Sequence, residues 1–151
     1  MDSELIAWRQ QAGRLVDVRL MAELQRLVQV DRSCEAHLLV LLAELDARQL
    51  YLAQGYSSLF RYAVSVLRMS EAQAYLRIRA ARVARAYPVA LEMFVEGALN
   101  LSTLKLLAPT LYRWRGQGVG YRLLRGLQIR GLGRSPSEER SSVALRIRAC
   151  R

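Results

Sequence analysis

Ser70-Glu71-Ala72-Gln73-Ala74-Tyr75-Leu76-Arg77-Ile78-Arg79-Ala80-Ala81-Arg82-Val83-Ala84-Arg85-Ala86-Tyr87-Pro88 is the stretch that decides the fold. Ser70 followed three residues later by Gln73 is a capping box: the serine hydroxyl accepts the Gln73 backbone N–H while the glutamine side chain reaches back to Ser70. A helix therefore starts at Glu71. Its apolar stripe reads Ala72, Leu76, Ala80, Val83 and Tyr87, and Arg77, Arg79, Arg82 and Arg85 fan over the remaining arc. Pro88 stops this helix and opens the next. Upstream, Gly55 suits a left-handed helix stop, and Ser57 or Ser58 can cap a helix that buries Phe60, Ala63, Val64 and Leu67 and ends at Arg68-Met69. The two helices, joined by a very short turn, form a helix-turn-helix-like central pair.

Working outward, Ser3 can cap a long first helix carrying Leu5, Trp8, Ala12 and Leu15 and, past the weak point at Gly13, Val16, Leu20, Leu24 and Leu27. The stripe drifts, which argues against a long coiled coil. Asp31 or Ser33 is expected to start a second helix with Cys34, Leu38, Leu41, Leu45 and Leu52 on one face, so that the two form a long N-terminal helical hairpin. Beyond the central pair, Pro88 to Glu96 reads as a short helix closed by Gly97, and Ser102 caps another that carries Leu104, Leu106 and Leu107 before Pro109. No comparable strand pattern occurs before residue 112, so the class is all-α. The expected core is Leu38, Leu41, Leu45, Leu59, Phe60, Val64, Leu76, Val83 and Leu107.

From Tyr112 the texture changes. Gly116, Gly118, Gly120, Gly126, Gly131 and Gly133 interrupt an arginine-rich stretch and break any helical period. The expected organisation is a helical domain over 1–111 and an Arg/Gly-rich, poorly ordered tail over 112–151, with a frayed helix at Ser137 to Arg148. The formal charge of +10 divides unevenly between these parts. Residues 1–111 hold thirteen basic and eleven acidic side chains, whereas 112–151 hold ten basic and two acidic, so most of the basicity belongs to the tail. Lys105 is the only lysine, an arginine bias that first suggests a GC-rich coding sequence.

At 151 residues and 52% hydrophobic content the chain suits one modest core. The longest apolar run, Leu38 to Ala43, is far short of a bilayer span, and Asp2 and Glu4 stand where a secretory leader would be basic. A cytoplasmic protein with no membrane partner is the expectation. Cys34 and Cys150 are too few and too separated for a disulfide framework, and Cys34 on an apolar face reads as a buried thiol.

Five blocks between His37 and Leu111 carry a resemblance: Leu45-Asp46-Ala47-Arg48-Gln49-Leu50-Tyr51, Gly55-Tyr56-Ser57-Ser58-Leu59-Phe60, Ser70-Glu71-Ala72-Gln73-Ala74-Tyr75, Arg77-Ile78-Arg79-Ala80-Ala81-Arg82 and Leu106-Leu107-Ala108-Pro109. In this order they resemble the helical domain of unknown function that precedes the nuclease module in bacterial HNH endonuclease-like proteins. The resemblance covers about half of the 151 residues. It implies DNA association and a C-terminal nuclease with histidines that bind metal and act as base. His37 is the single histidine here, so those catalytic residues have no positions onto which to be carried. The expectation is a truncated, non-catalytic member. Read one nucleotide out of phase, permitted codons for Gly126 to Gly133 spell a Lys-Ser-rich stretch similar to the one these proteins carry there, which marks the tail as a candidate out-of-frame product.

Other motifs carry less. Cys34 and His37, three apart on a helix, supply two ligands where zinc needs four, so no metal site is expected. Gly55-Tyr56-Ser57-Ser58-Leu59 lacks the closing glycine and preceding strand of a nucleophile elbow, and Gly116-Gln117-Gly118-Val119-Gly120 lacks the strand and Lys-Ser/Thr of a phosphate loop. No catalytic residue, cofactor or small-molecule substrate is expected. The candidate DNA-binding residues are Gln73, Arg77, Arg79, Arg82 and Arg85: in a helix-turn-helix docking Gln73, Ala74 and Arg77 would face bases, and Arg82 and Arg85 would clamp phosphates. Glu71 opposes that docking with its negative charge, and a charged arc is commonly a solvated face. The alternative reading is a helical interaction module that forms a homodimer through the N-terminal hairpin and has no nucleic-acid role.

Overall fold

The computed structural model describes residues 2–113 and 119–131, and the expected helix at 137–148 lies outside them. The described residues form helices α1 (Asp2–Ala12), α2 (Asp17–Arg48), α3 (Leu50–Ala53), α4 (Leu59–Ser65), α5 (Glu71–Ala86), α6 (Pro88–Val95), α7 (Leu101–Arg113) and α8 (Val119–Gly131). The fold is all-α, as the periodicity indicates. Among the described residues no helix is long and apolar enough to cross a membrane. The chain divides into two units, residues 1–31 and residues 32–151.

The expected hairpin turn is absent. Asp31 and Ser33 lie inside the 32-residue α2, and the chain breaks instead at Gly13–Val16. Residues 17–48 contain no glycine or proline, and helix propagation across Val28 to Ser33 outweighs the capping preference of an isolated Asp or Ser. The drift in the leucine stripe belongs to the Gly13 break. Within α2, Leu20, Leu24, Leu27, Asp31, Cys34, Leu38, Leu41 and Leu45 alternate four and three apart without interruption. α2 ends where Gln49 takes a left-handed φ of 52°.

In residues 32–131 α5 is the central element, packed against α4, α6 and α7, while α8 lies on α6 and α7. Its capping box is in place: the Gln73 N–H donates to Ser70 Oγ at 3.3 Å, and the Ser70 N–H donates to Gln73 Oε1 at 3.2 Å. Ala74, Ile78, Ala80, Ala81, Val83 and Ala84 are buried, so the buried face is wider and more alanine-rich than the expected stripe, and Ala72 is exposed. Small side chains let neighbouring helices approach on several sides at once. Ser58 is the serine that caps α4, accepting from the Arg61 N–H. α4 stops at Ser65, three residues early, and Arg68 takes a left-handed φ of 56°, which leaves Phe60 and Leu67 more than a third exposed. Gly55 and Gly97 both adopt φ +80°, the left-handed stops expected of them. α7 begins two residues earlier than expected because Asn100 Oδ1 accepts the Thr103 N–H at 2.9 Å, and it runs through Pro109.

The phase of α2 also differs. Ala36, Leu39, Leu42 and Ala43 are buried, Leu38 and Leu45 pack at the core edge, and Leu41 is 67% exposed. Leu38 to Ala43 is apolar all round, so periodicity could not choose between these faces. Cys34, expected to be buried, lies at the surface. Leu59 and Val83 are core residues as expected, Val64 and Leu107 pack against the core, and Leu76 is half-buried.

The domain extends past residue 111. Leu124 on α8 is fully buried, and Gly120 lies so close to the Tyr87 ring that an added Cβ would sit 2.8 Å from it. The buried Tyr87 hydroxyl donates to the Leu111 carbonyl at 2.7 Å, tying the end of α5 to the end of α7. Residues 120–124, expected within the tail, thus build part of the core. Leu42→Ala and Leu124→Ala should each cost about 2–5 kcal/mol in urea unfolding. Leu41→Ala should stay within about 0.5 kcal/mol. Equal losses at Leu41 and Leu42 would contradict the observed phase of α2.

Candidate nucleic-acid interface

The five candidate residues on α5 do not share one face. Gln73 and Arg77 are four apart and lie on one side, whereas Arg79, Arg82 and Arg85, each three apart, follow one another around another. The helix geometry alone separates their tasks.

Gln73 is engaged in the capping box. Arg77 faces α2, where its Nε and Nη2 donate to the two Glu35 oxygens at 2.7 and 2.9 Å. The side chains are only 19% and 15% exposed, so this fork is shielded from water and salt. The expected base-facing end of α5 is therefore occupied by contacts that build the fold.

Arg79, Arg82 and Arg85 come together on an open cleft of about 670 Å³, lined also by Asp46, Tyr112, Ala43, Ala47 and Ala86. Three alanines leave the space that larger side chains would fill. Arg82 forks onto Asp46 at 2.7 and 3.2 Å, and that carboxylate raises the arginine pKa further. Arg85 donates to the Ala43 carbonyl at 3.2 Å and to Glu44 at 3.3 Å. Arg79 donates to the Tyr75 hydroxyl at 3.0 Å, and both Arg79 and Lys105 stand within 5.4 Å of the Tyr75 ring centre. The Arg82 and Arg85 side chains remain 52% and 54% exposed. A guanidinium has five N–H donors, and a carboxylate fork takes two, so each retains donors for an anion.

Glu44 is shared. Arg48, at 2.5 Å, and to a lesser degree Arg85 hold its carboxyl below the ordinary range. A depressed carboxylate contributes stability above its unfolded pKa and loses it as pH falls through the lowered value. Acid therefore releases Arg48 and Arg85 from Glu44 together, while Arg85 keeps its bond to the Ala43 carbonyl.

Sequence reasoning missed Tyr112 and the α2 carboxylates as participants. Periodicity says of Glu44 and Asp46 only that they fall off the Leu38-Leu41-Leu45 face. No sequence signal paired them with arginines 41 and 36 positions away. Among the described residues no group of three or more His, Cys, Asp or Glu is placed to hold a metal ion. Comparison with protein-family models, curated proteins and solved structures finds no match to the chain.

The difference in burial gives a direct test. Arg77→Met should cost about 1–3 kcal/mol, because it strands the largely buried Glu35 carboxylate. Arg85→Met, at a pair in which both side chains are about half exposed, should cost under about 1 kcal/mol. Thermal or urea unfolding of the two variants compares them, and a larger loss for Arg85 would reverse the assignment.

Proposed function

We propose that the chain is a non-catalytic, DNA-associated helical module of the HNH endonuclease-like kind, acting in the cytoplasm, and that it holds the phosphate backbone in the Arg79/Arg82/Arg85 cleft. The observation that carries this reading is the convergence of three arginines, two of them half-exposed, on one open cleft walled by alanines and Tyr112. Asp46 and Glu44 partly neutralise the cleft, but Arg48 beside Glu44 leaves four guanidinium groups against two carboxylates.

Phosphate contact, without base readout, fits this chemistry. Guanidinium forks match phosphate oxygens, and the N-terminal turn of α5 presents Glu71 and a closed capping box. Binding of this kind is sequence-tolerant and steeply salt-dependent. The cleft replaces the helix-turn-helix docking in which Gln73 and Arg77 would read bases.

The test is fluorescence anisotropy with a labelled duplex over a salt series. Arg79→Gln, Arg82→Gln and Arg85→Gln combined should flatten the slope of log K against log salt by about 2–3, near 0.9 per lost phosphate contact. Circular dichroism confirms that the variant is folded. An unchanged slope and affinity in the folded triple variant would eliminate the cleft as the binding surface.

A further inference from the structure

Arg79 belongs to two places at once. It lines the cleft with Arg82 and Arg85, and it donates to the Tyr75 hydroxyl at 3.0 Å. Tyr75, Arg79, Arg82 and Ala86 are four, three and four apart and form one stripe along α5. α7 packs against α5 and runs in the same direction. Lys105 stands 5.3 Å from the Tyr75 ring centre at one end, and the Leu111 carbonyl accepts from Tyr87 at the other. Lys105 and Tyr112, seven residues apart, share a side of α7 and lie about 10 Å from one another along its axis. The phosphate cleft is thus part of a longer strip, with Tyr112 at one end and Tyr75 at the other.

Both rings are open to solvent, Tyr75 at 43% and Tyr112 at 37% exposure. A single exposed tyrosine is ordinary. Here two stand at the ends of a row of cations made by Lys105, Arg79, Arg82 and Arg85, and Lys105 is the only lysine of the chain. The face of a ring offers nothing to a phosphate, and the bases of a duplex are stacked on one another and closed to it. The faces of unpaired bases are open. A positive groove that follows the backbone, with aromatic rings that take bases, is the arrangement that holds single strands without reading their sequence. Arg79 and Lys105, at 5.4 and 5.3 Å from the Tyr75 ring centre, give a base stacked there a cation for its phosphate. Asp46 and Glu44 lower the net charge of the strip, which weakens a ligand held by phosphates alone and leaves more of the binding to the rings.

We infer that Tyr75, flanked by Arg79 and Lys105, is a base-stacking platform, and that the strip from Tyr75 to Tyr112 takes a single-stranded nucleic acid in preference to a duplex. The inference rests on the phosphate cleft proposed above and adds the form of the ligand.

Fluorescence anisotropy of the full chain with a labelled oligothymidylate, and with a labelled duplex of equal length at the same salt, tests it. The wild type should bind the single strand about tenfold more tightly than the duplex. Tyr75→Leu removes the ring face and keeps an apolar side chain. It should lose about five- to a hundredfold in single-strand affinity and leave duplex affinity unchanged. Tyr75→Phe keeps the ring and gives up only the hydroxyl bond to Arg79, so it should retain single-strand binding. Circular dichroism shows that each variant is folded, and the arginines beyond residue 131 are common to all three proteins, so the differences read residue 75 alone. Equal affinity for the two probes, or a Tyr75→Leu variant that binds the single strand as the wild type does, overturns the inference while a bound duplex leaves the phosphate cleft standing. A loss in Tyr75→Phe equal to that in Tyr75→Leu also overturns it, because the hydroxyl's hold on Arg79 would then be what matters. Binding of neither probe removes the cleft and the platform together.

Discussion

The fork between Arg77 and Glu35 is the contact on which the placement of α2 against the rest of the domain depends. It joins residues 42 apart in sequence, with less than a fifth of either side chain exposed. It is the innermost of three arginine–carboxylate contacts, followed by Arg82 with Asp46 and Arg85 with Glu44. All three run from α5 to α2 and fix the rotation of α2 that its apolar sequence leaves open. Leu39 and Leu42 turn inward and Leu41 outward, with Glu35 and Asp46 on the inward side where they meet Arg77 and Arg82. A polar contact here supplies orientation more than net stability, since the desolvation of each charge offsets much of the attraction.

The charge of α5 is consequently less free than its composition suggests. Of four arginines on one helix, one is largely consumed in the fold and three share their donors between structural contacts and an open cleft. The sites that remain accessible belong to the C-terminal half of α5. That half lies away from the Glu71 carboxylate at the other end, and its arginines sit where cations complement the negative end of the helix dipole.

Helix ends were the legible part of the fold. Ser70 with Gln73, Gly55, Pro88 and Gly97 each act through a local hydrogen bond or a backbone angle, and local rules read them correctly. Continuity and phase were not legible. The Asp31–Ser33 turn failed because one capping residue does not interrupt a helix that propagates across it with no glycine or proline from 17 to 48. The Leu38–Ala43 run failed because every face is apolar, and only the distant arginines decide which is buried. α8 was hidden by its glycines, although Gly120 is what lets the helix lie against Tyr87. Of the candidate site, Arg79, Arg82 and Arg85 were legible as a cationic arc. Their separation from Gln73 and Arg77, and the contribution of Tyr112, needed the packed helices.

The central claim is that Arg77 and Glu35 act as one shielded unit that sets the position of α2. A double-mutant cycle with Arg77→Met, Glu35→Gln and the combined variant, followed by urea unfolding, measures their coupling free of each residue's other contacts. A coupling of about 1.5–3 kcal/mol, little changed by added salt, is the predicted result. Coupling below about 0.5 kcal/mol, or one that vanishes in salt, would show an ordinary surface pair and contradict the account.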